Sequence, residues 1–217
     1  MLQALHIEPI AFPRVKRIFD IVVSFIALIA ISPIIALIML IMCLEMLISK
    51  RSRGSIFYRE IRVSEGKPFT LIKFRIFTTS AIEKGRNGNG VVHTKKLEVE
   101  HKNLTFIGSL LKKVYMDELP QLWNVLKGDM SLVGPRPTNM ENSERLLKEG
   151  KLSKFLIKAG LTGFFQSHKG IQLNGKQEEM DMAYINFVKN NPGWKIVLYD
   201  IKILSITLRT ILRAEGI

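Results

Sequence analysis

Two adjacent carboxylates, Asp117 and Glu118, lie at the start of a predicted helix in this sequence. Asp117 occupies the position expected of an N-cap, Pro120 suits a first helical turn, and Gly128 is expected to end the helix. An Asp-Glu pair in this place is more often a cap and a first-turn acid than a reactive site. Whether the pair also has a chemical role must therefore be judged from the surrounding residues.

Several basic residues in this sequence favour a chemical role for the pair. Lys112 precedes the pair, and Lys73 and Arg75 end a predicted strand. Arg136 stands between two prolines, which restrict its backbone and suit it to bidentate binding of a phosphate. Carboxylates combined with arginine and lysine are the components of a magnesium-assisted phosphoryl-transfer site, because Mg²⁺ takes oxygen ligands and substrate phosphates. We therefore expect Mg²⁺ as the cofactor.

The composition indicates which kinds of partner this chain takes. A formal net charge of +13 over 217 residues implies a polyanion, which could be nucleic acid, anionic lipid or a phosphate-rich substrate. Hydrophobic residues make up 47% of the chain and are concentrated near its N-terminus. We find no interleaved aromatic and basic recognition pattern, so we expect no nucleic-acid partner. The single cysteine excludes a disulfide framework and a cysteine zinc site.

The apolar run from Ile21 to Leu44 contains no charged side chain. As a helix it would span about 36 Å, which exceeds the hydrocarbon core of about 30 Å. It is too long for a signal peptide, and no small-residue cleavage site follows it. A straight transmembrane helix is the simplest interpretation of this length.

Ser32 and Pro33, in the middle of the run, favour a different course. Proline removes a backbone donor and clashes with the carbonyl four residues earlier, so we expect a kink. Both flanks of the run are basic, whereas a spanning helix usually has an asymmetric distribution of Lys and Arg. These features predict a re-entrant helix-break-helix that dips into one leaflet. The sequence leaves both courses open.

The rest of the chain predicts an α+β, membrane-associated domain with a small β-hairpin and several short and amphipathic helices. β-Branched and aromatic residues flank a turn-like segment at 64–68, which predicts the hairpin. Shorter elements are predicted as a loop at 83–90, helices at 105–115, 119–127 and 142–159, and a turn at 160–163. Trp194 to Leu212 predicts an amphipathic helix with basic edges. Docking on the core and lying at a lipid interface explain that helix equally well.

Seven segments occur in a specific order along the chain. They are Lys16-Arg17-Ile18-Phe19-Asp20, Ser32-Pro33, Lys73-Phe74-Arg75, Asp117 to Val125, Gly128 to Pro137, Gly160 to Gly163, and Tyr199 to Leu204. Together they resemble the bacterial sugar transferases, which are monotopic polyprenyl-phosphate phosphoglycosyltransferases. The resemblance runs from about Arg14 to Leu212. It is to the short form of the family, the catalytic unit without an added N-terminal domain.

The resemblance implies a two-step reaction and a re-entrant helix broken at Ser32-Pro33. Asp117 would attack the β-phosphate of a UDP-sugar, expel UMP and hold the phosphosugar. A polyprenyl phosphate would then take the phosphosugar and give a polyprenyl-diphosphate sugar. Mg²⁺ would bridge Asp117 and the diphosphate, Glu118 would support the nucleophile, and Arg136 would bind phosphate. The product would initiate synthesis of a glycoconjugate such as an exopolysaccharide, O-antigen, capsule or glycoprotein glycan.

The complete set of predicted sites includes further residues. Substrate and phosphate binding is predicted for Arg136, Lys112, Gln121, Lys73, Arg75, Arg62 and Lys158, with Asp129 and Glu141 as secondary candidates. The region 158–170 departs from the family pattern, which leaves the sugar open. That departure also permits a second hypothesis, a non-catalytic membrane scaffold of the same fold.

The predicted organisation has three parts. Residues 1–13 form an N-terminal tail, 14–50 a membrane-inserted helix, and 51–217 a cytosolic catalytic domain that ends in an amphipathic helix. We expect location at the bacterial inner membrane with the catalytic domain on the cytoplasmic face. The expected partners are membrane lipid, polyprenyl phosphate and a UDP-sugar, and a homo-oligomer is a further hypothesis.

Overall fold

The computed structural model describes residues 8–85, 97, 100–167 and 177–212, and it combines many helices with two small sheets. The helices are α1 Arg14–Ile48, α2 Thr79–Gly85, α3 Phe106–Lys113, α4 Gln121–Lys127, α5 Met140–Lys148, α6 Ser153–Leu156, α7 Phe164–Ser167, α8 Gln177–Asn190 and α9 Gly193–Leu212. The strands are β1 Phe57–Ser64, β2 Lys67–Phe74, β3 Ser131–Val133 and β4 Gly160–Thr162. The mixed, helix-rich class predicted from the sequence is confirmed.

The chain forms two compact units, and several elements contribute to both. The first unit contains residues 1–28, 60–71 and 121–217, and the second contains residues 29–59 and 72–120. α1 therefore contributes its first half to one unit and its second half to the other.

α1 is a single helix of 35 residues, and it is long and apolar enough to cross a membrane. Only 11% of its most apolar window is buried within the protein. Ile18, Phe25, Ile29 and Leu47 are among its many exposed apolar side chains. Apolar side chains exposed at this density along one helix suit contact with lipid.

Helix α1 continues through Ser32 and Pro33. Pro33 has no N–H for the carbonyl of Ile29, and the Ser32 hydroxyl donates to that same oxygen over 2.8 Å. The hydroxyl thus partners an acceptor that proline would otherwise leave without its helical donor. The helix is continuous here, so the predicted break into two helices is not confirmed. The re-entrant course stays a prediction.

The second unit is built around an apolar cluster that includes the later part of α1. Its buried members are Ile38, Met42, Phe74, Ile76, Phe77, Leu104, Ile107 and Leu111.

The predicted hairpin is confirmed as β1 and β2. Its turn residues Glu65 and Gly66 have φ of 52° and 69°, and two consecutive positive φ values are what a type I′ hairpin turn requires.

In the first unit, β3 and β4 pair in parallel, with Ser131 opposite Gly160 and Val133 opposite Thr162. The prediction of a turn at 160–163 is therefore wrong for its first three residues. A Cβ added to Gly160 would lie 2.1 Å from the backbone nitrogen of Gly134, so the pairing requires glycine at this position. A three-residue strand with a distant partner has no periodicity that reveals it in the sequence.

Other boundaries differ from the predictions in smaller ways. The helix predicted at 142–159 is divided into α5 and α6, because Gly150 has a φ of 73° between them. The helix predicted at Trp194 to Leu212 is confirmed as α9. α2 includes the first residues of the predicted loop 83–90, and positions 86–90 lie outside the described residues.

Candidate active site

Asp117 and Glu118 lie in a short 3₁₀ turn, Met116–Glu118, in the second unit. α4 begins only at Gln121, so the prediction that Asp117 is the N-cap of that helix is wrong. The tighter turn ends the preceding segment, and Pro120 precedes the first residue of α4. Asp117 is 8% exposed. A 3₁₀ turn has about three residues per turn, so neighbouring side chains in it are about 120° apart.

The backbone just before this turn is strained. Tyr115 has φ 56° and ψ 19°, which places a bulky residue in the left-handed region. Such a conformation costs on the order of 1–3 kcal/mol and persists where the surrounding structure imposes it, often at functional sites. The strain therefore marks the segment that presents Asp117.

Glu118 forms an ion pair with Lys73 of β2, with Nζ 2.9 Å from Oε1. Both side chains are about one-fifth exposed. The structure thus places one of the predicted cations directly against Glu118. An ion pair in this half-buried setting holds Glu118 in one orientation beside Asp117.

α3 leads into the strained turn and is held at its N-terminus by two side chains. Thr105 is its N-cap and accepts from the backbone N–H of Gly108. Glu45 of α1 accepts from the backbone N–H groups of Phe106 at 2.8 Å and Ile107 at 3.2 Å. These are orphan donors of the first helical turn, and a carboxylate is favoured there by the helix dipole. No role was predicted for Glu45, although a lone acid at the end of an apolar run is a signal in the sequence.

Lys112 lies half-buried in the last turn of α3, five residues before Asp117. Arg75 is also in the second unit, but it is buried and its donors point at the backbone. Its guanidinium donates to the carbonyls of Ser55 at 2.5 Å, Phe77 at 2.7 Å, and Ser52. This placement favours a structural role for Arg75 over the predicted role in phosphate binding.

Arg136 belongs to the first unit and follows β3 in the segment Gly134-Pro135-Arg136-Pro137. Pro135 is buried and Arg136 is half-buried. Because β3 begins only five residues earlier, the position of the arginine depends on what holds this strand.

β4 covers one edge of β3, and side chains hold the backbone groups that β4 does not reach. The Asp20 carboxylate accepts from the Leu132 backbone N–H at 3.3 Å and from the Ser131 hydroxyl at 2.8 Å. The Tyr184 hydroxyl lies 3.3 Å from the Val133 carbonyl. Side chains from α1 and α8 thus supply hydrogen bonds that a third strand would otherwise provide.

The same side chains belong to a buried polar network, which we call the Lys16 network: Lys16, Asp20, Tyr184 and Asp200. Lys16 Nζ lies 2.5 Å from Asp200 and 3.9 Å from Asp20, and the Tyr184 hydroxyl donates to Asp200 over 2.7 Å. Burial raises the pKa of the Asp200 carboxyl, although Lys16 opposes this shift. Burial, and then the charge of Asp200, raises the pKa of Tyr184 well above its usual value.

Lys16, Asp20 and Asp200 belong to segments of the family pattern, and their contact was not predicted from the sequence. A lysine and an aspartate four residues apart at the start of an apolar helix were the available signal. Such charges are seldom buried unless they are paired.

The other predicted residues of the first unit have local partners or surface positions. Lys158 Nζ donates to the Gly128 carbonyl over 2.8 Å and lies 3.6 Å from Glu65. Asp129 accepts from Asn124 over 3.1 Å, next to the end of α4. Lys158 and Asp129 thus both form their hydrogen bonds with residues at the C-terminal end of α4.

Arg62 donates to Glu60 over 2.7 Å, two residues away on the same strand. Gln121 is buried as the first residue of α4, and Glu141 is exposed in the first turn of α5. The second unit therefore brings Asp117, Glu118 and Lys73 together, with Lys112 nearby in sequence. Arg136, Gln121, Lys158, Arg62, Asp129 and Glu141 all belong to the first unit.

Mg²⁺ is the ion that the carboxylate pair would suit. Among the described residues, no three His, Cys, Asp or Glu side chains cluster into a metal cage. Mg²⁺ is commonly held by one or two carboxylates, with substrate phosphates and water completing its oxygen ligands. Consecutive carboxylates at Asp117 and Glu118 fit that kind of site.

Comparison with known proteins identifies the family. The model of the bacterial sugar transferase family matches residues 12–214. The chain belongs to the bacterial sugar transferase family. The resemblance inferred from the order of motifs is therefore confirmed.

Three relatives illustrate the similarity. An uncharacterized sugar transferase of Bacillus subtilis, EpsL, is 36% identical over 205 residues, which cover 93% of this chain and 89% of the relative. The UDP-glucose:undecaprenyl-phosphate glucose-1-phosphate transferase of Klebsiella pneumoniae is 34% identical over 89% of this chain. The undecaprenyl-phosphate galactose phosphotransferase of Salmonella typhimurium is 34% identical over 93% of it. This chain spans 39% and 41% of those two enzymes.

Proposed function

We propose that this sugar transferase moves a sugar 1-phosphate from a UDP-sugar to a polyprenyl phosphate and releases UMP. The relatives from Klebsiella pneumoniae and Salmonella typhimurium, named for transfers to undecaprenyl phosphate, support this reaction class. The observation that carries the proposal is the turn Met116–Glu118. It presents two adjacent carboxylates after a strained residue, and Lys73 holds one of them.

In the proposed first step, an Asp117 carboxylate oxygen attacks the β-phosphorus of the UDP-sugar. The bond from that phosphorus to the bridging oxygen breaks, and UMP leaves with the electron pair. In the second step, an oxygen of the polyprenyl phosphate attacks the same phosphorus. The bond to Asp117 then breaks, and the carboxylate is regenerated. A carboxylate nucleophile divides one difficult displacement into two easier ones.

The remaining residues have supporting roles in this proposal. Lys73 fixes Glu118, and Glu118 in turn adds a second carboxylate oxygen donor beside the nucleophile. Asp117 and Glu118 would hold Mg²⁺, which supplies charge neutralisation at the phosphates when bound. Arg136 would bind a phosphate through its planar guanidinium. Stabilising phosphate charge is the main task in this class of reaction.

We further propose that α1 holds the chain at the bacterial inner membrane with residues 51–217 on the cytoplasmic face. A re-entrant course would place both ends of α1 on that face. Accessibility tags before residue 14 and after Lys50 would test the course. Labelling of both tags from the cytoplasmic side agrees with the re-entrant course, and labelling from opposite sides supports a spanning helix.

The function is tested with purified full-length protein, Mg²⁺, a panel of UDP-sugars and a polyprenyl phosphate, with UMP as the readout. We expect release of UMP with at least one donor and its loss in Asp117→Asn. Glu144→Gln, an exposed acid of α5, is the matched control and should remain active. Equal UMP release by wild type and Asp117→Asn would exclude Asp117 as the nucleophile.

A second arm omits the polyprenyl phosphate. A covalent intermediate predicts at most one UMP per chain and a phosphosugar mass on the peptide that contains Asp117. UMP release that strictly requires both substrates would point to direct transfer. No UMP with any donor would instead favour the non-catalytic scaffold.

A further inference from the structure

Gln166, in the short helix α7, has a buried side chain whose amide lacks hydrogen-bond partners. It is 1% exposed, and neither its Oε1 nor its Nε2 forms a hydrogen bond within the described protein. Ser24 and Arg62 have one such atom each, so among the described residues only Gln166 leaves both a donor and an acceptor unsatisfied. Buried polar atoms in native proteins nearly always have a partner, and an exception requires an explanation such as a functional role.

The Gln166 amide lies beside the backbone that leads to Arg136. Gln166 Oε1 and the Gly134 carbonyl oxygen lie 2.8 Å and 2.3 Å from the position that a Cβ on Gly163 would take. The Gly134 N–H donates to the Thr162 carbonyl over 2.9 Å, which fixes this backbone against β4. All of these residues belong to the first unit. The unsatisfied amide therefore adjoins a segment that carries the proposed phosphate-binding arginine two residues later.

Contacts on the other side of α7 hold this helix in place. The Phe164 ring lies 6.1 Å from the Tyr199 ring of α9, measured between ring centres. The Ser167 N–H donates to the Gly163 carbonyl over 2.9 Å and continues the helical turn. At about 100° per residue, Phe164 and Gln166 project from nearly opposite sides of α7. Phe164 thus attaches α7 to α9, and Gln166 projects away from that attachment.

A glutamine carboxamide offers an acceptor and donors side by side in one plane. The imide edge of uracil is its complement, because N3–H donates next to the O4 carbonyl, which accepts. Ionised phosphate oxygens only accept, and the N–H and C=O of a trans acetamide point in opposite directions. Neither a phosphate nor an N-acetyl group on the sugar therefore satisfies both atoms of the amide. Asn and Gln bind the edge of adenine through two such bonds in DNA recognition.

We propose that Gln166 is a specificity-determining residue that binds the uracil base of the sugar donor. Oε1 accepts from the uracil N3–H, and Nε2 donates to O4. The base displaces the groups that cover the amide and supplies the two hydrogen bonds that it lacks. In dry surroundings an unmade hydrogen bond is costly, so a base without the matching edge is rejected. This inference rests on the proposed function, which supplies the UDP-sugar.

The first test measures the stability of the ligand-free, full-length protein in detergent. Gln166→Met retains the length of the side chain and removes both unsatisfied atoms, so we expect a higher unfolding temperature than in wild type. Asn124→Leu is the matched control, because this buried carboxamide donates to the Thr70 carbonyl over 2.7 Å. Its unfolding temperature should fall. A lower unfolding temperature for Gln166→Met would show that the amide has a structural partner, and would overturn the proposal.

The second test measures equilibrium binding of UMP and 3-methyluridine 5′-monophosphate by calorimetry, with Mg²⁺ and without polyprenyl phosphate. Methylation removes the N3–H donor and should weaken binding to wild type by about tenfold or more. Gln166→Met should bind UMP more weakly than wild type does and lose most of this methyl effect. Asn142→Leu, a change at an exposed carboxamide of α5, should retain the full effect.

The outcomes of this test separate uracil from ribose and the site from the reaction. An equal methyl effect in wild type and Gln166→Met, or no binding of UMP to wild type, overturns the proposal. If Gln166→Met instead loses the effect of removing the ribose 2′-hydroxyl, the amide binds ribose and the uracil assignment is overturned. Binding needs no turnover, so a methyl effect that depends on Gln166 supports the site even if UMP is never released. UMP release without that dependence overturns the site alone.

Discussion

Asp20 and Glu45 are the acidic residues of α1, and they hold the protein in the same chemical way at different places. Each carboxylate accepts from backbone N–H groups of another element: Asp20 from Leu132, and Glu45 from Phe106 and Ile107. Each also accepts from a serine hydroxyl, Ser131 at 2.8 Å for Asp20 and Ser52 at 2.7 Å for Glu45. Asp20 serves the first unit and Glu45 the second.

The two acids differ in burial and in charge balance. Asp20 is fully buried and lies near Lys16, which is itself almost fully buried against Asp200. Glu45 is half-buried. Water can therefore replace part of what Glu45 supplies, whereas the groups around Asp20 have little access to any other partner.

The elements that these acids hold lead to the candidate functional residues. Asp20 binds β3, which precedes Arg136, and Glu45 binds the start of α3, which precedes Tyr115 and Asp117. One helix therefore provides a hydrogen-bonding carboxylate for each segment. Burial then determines how sensitive each segment is to the loss of that carboxylate.

Removal of the buried cation should have the largest effect on stability. Lys16→Met leaves Asp200 and Asp20 buried without their nearest positive charge, so we expect a loss of about 3–5 kcal/mol in the free energy of unfolding. Denaturant titration in detergent measures it. Lys148→Met, an exposed change on α5, should stay within about 0.5 kcal/mol of wild type. Equal stability of the two variants would show that the Lys16 network contributes little.

Asp20→Ala should come next. It leaves the Leu132 N–H and the Ser131 hydroxyl without their acceptor, which costs about 1–3 kcal/mol. If β3 positions Arg136 for phosphate binding, KM for the UDP-sugar should rise more than kcat falls. Asp20→Asn retains one acceptor oxygen and should recover part of both losses. A fall in kcat alone would contradict the link to Arg136.

Glu45→Ala should destabilise less, by about 1 kcal/mol, because it removes acceptors from the exposed start of a helix that Thr105 also caps. Its effect on turnover should be the reverse of that of Asp20→Ala. A shift of α3 would move the turn that contains Asp117, so kcat should fall more than KM rises. Glu45→Gln is the conservative variant. The same KM and kcat pattern in Asp20→Ala and Glu45→Ala would remove the distinction between the two ends of α1.

Tyr184→Phe should give no larger a change at neutral pH, a loss of about 1 kcal/mol from the hydrogen bond to Asp200. Its effect also depends on pH. The pKa of Tyr184 is raised in the folded state, so above about pH 10 the unfolded chain releases a proton that the native chain keeps, and stability falls as pH rises. Unfolding titrations from pH 8 to 11 should show a shallower fall for Tyr184→Phe. If the stability of wild type and of Tyr184→Phe falls in parallel with pH, the pH dependence does not come from Tyr184.

Much of the local structure followed from the sequence. The hairpin, α3 and α9 have residue patterns and turn signals that specify them locally, and each was confirmed. β4 was missed because its three residues become a strand only through pairing with β3. Arg75 was interpreted as a phosphate ligand because its type and neighbours suit one. Its carbonyl partners at Ser52, Ser55 and Phe77 become visible only in the folded chain.

The sequence by itself determined the family, the apolar helix, and the residues Asp117, Glu118 and Arg136 as candidates for chemistry, because these depend on residue type and order. Only the tertiary structure decided which charges pair. Lys16 and Asp200 are 184 residues apart and lie 2.5 Å from each other. Contacts of this kind depend on how distant segments pack, and no local periodicity records them. The same packing showed that α9 covers the core with one face and leaves a second apolar face exposed.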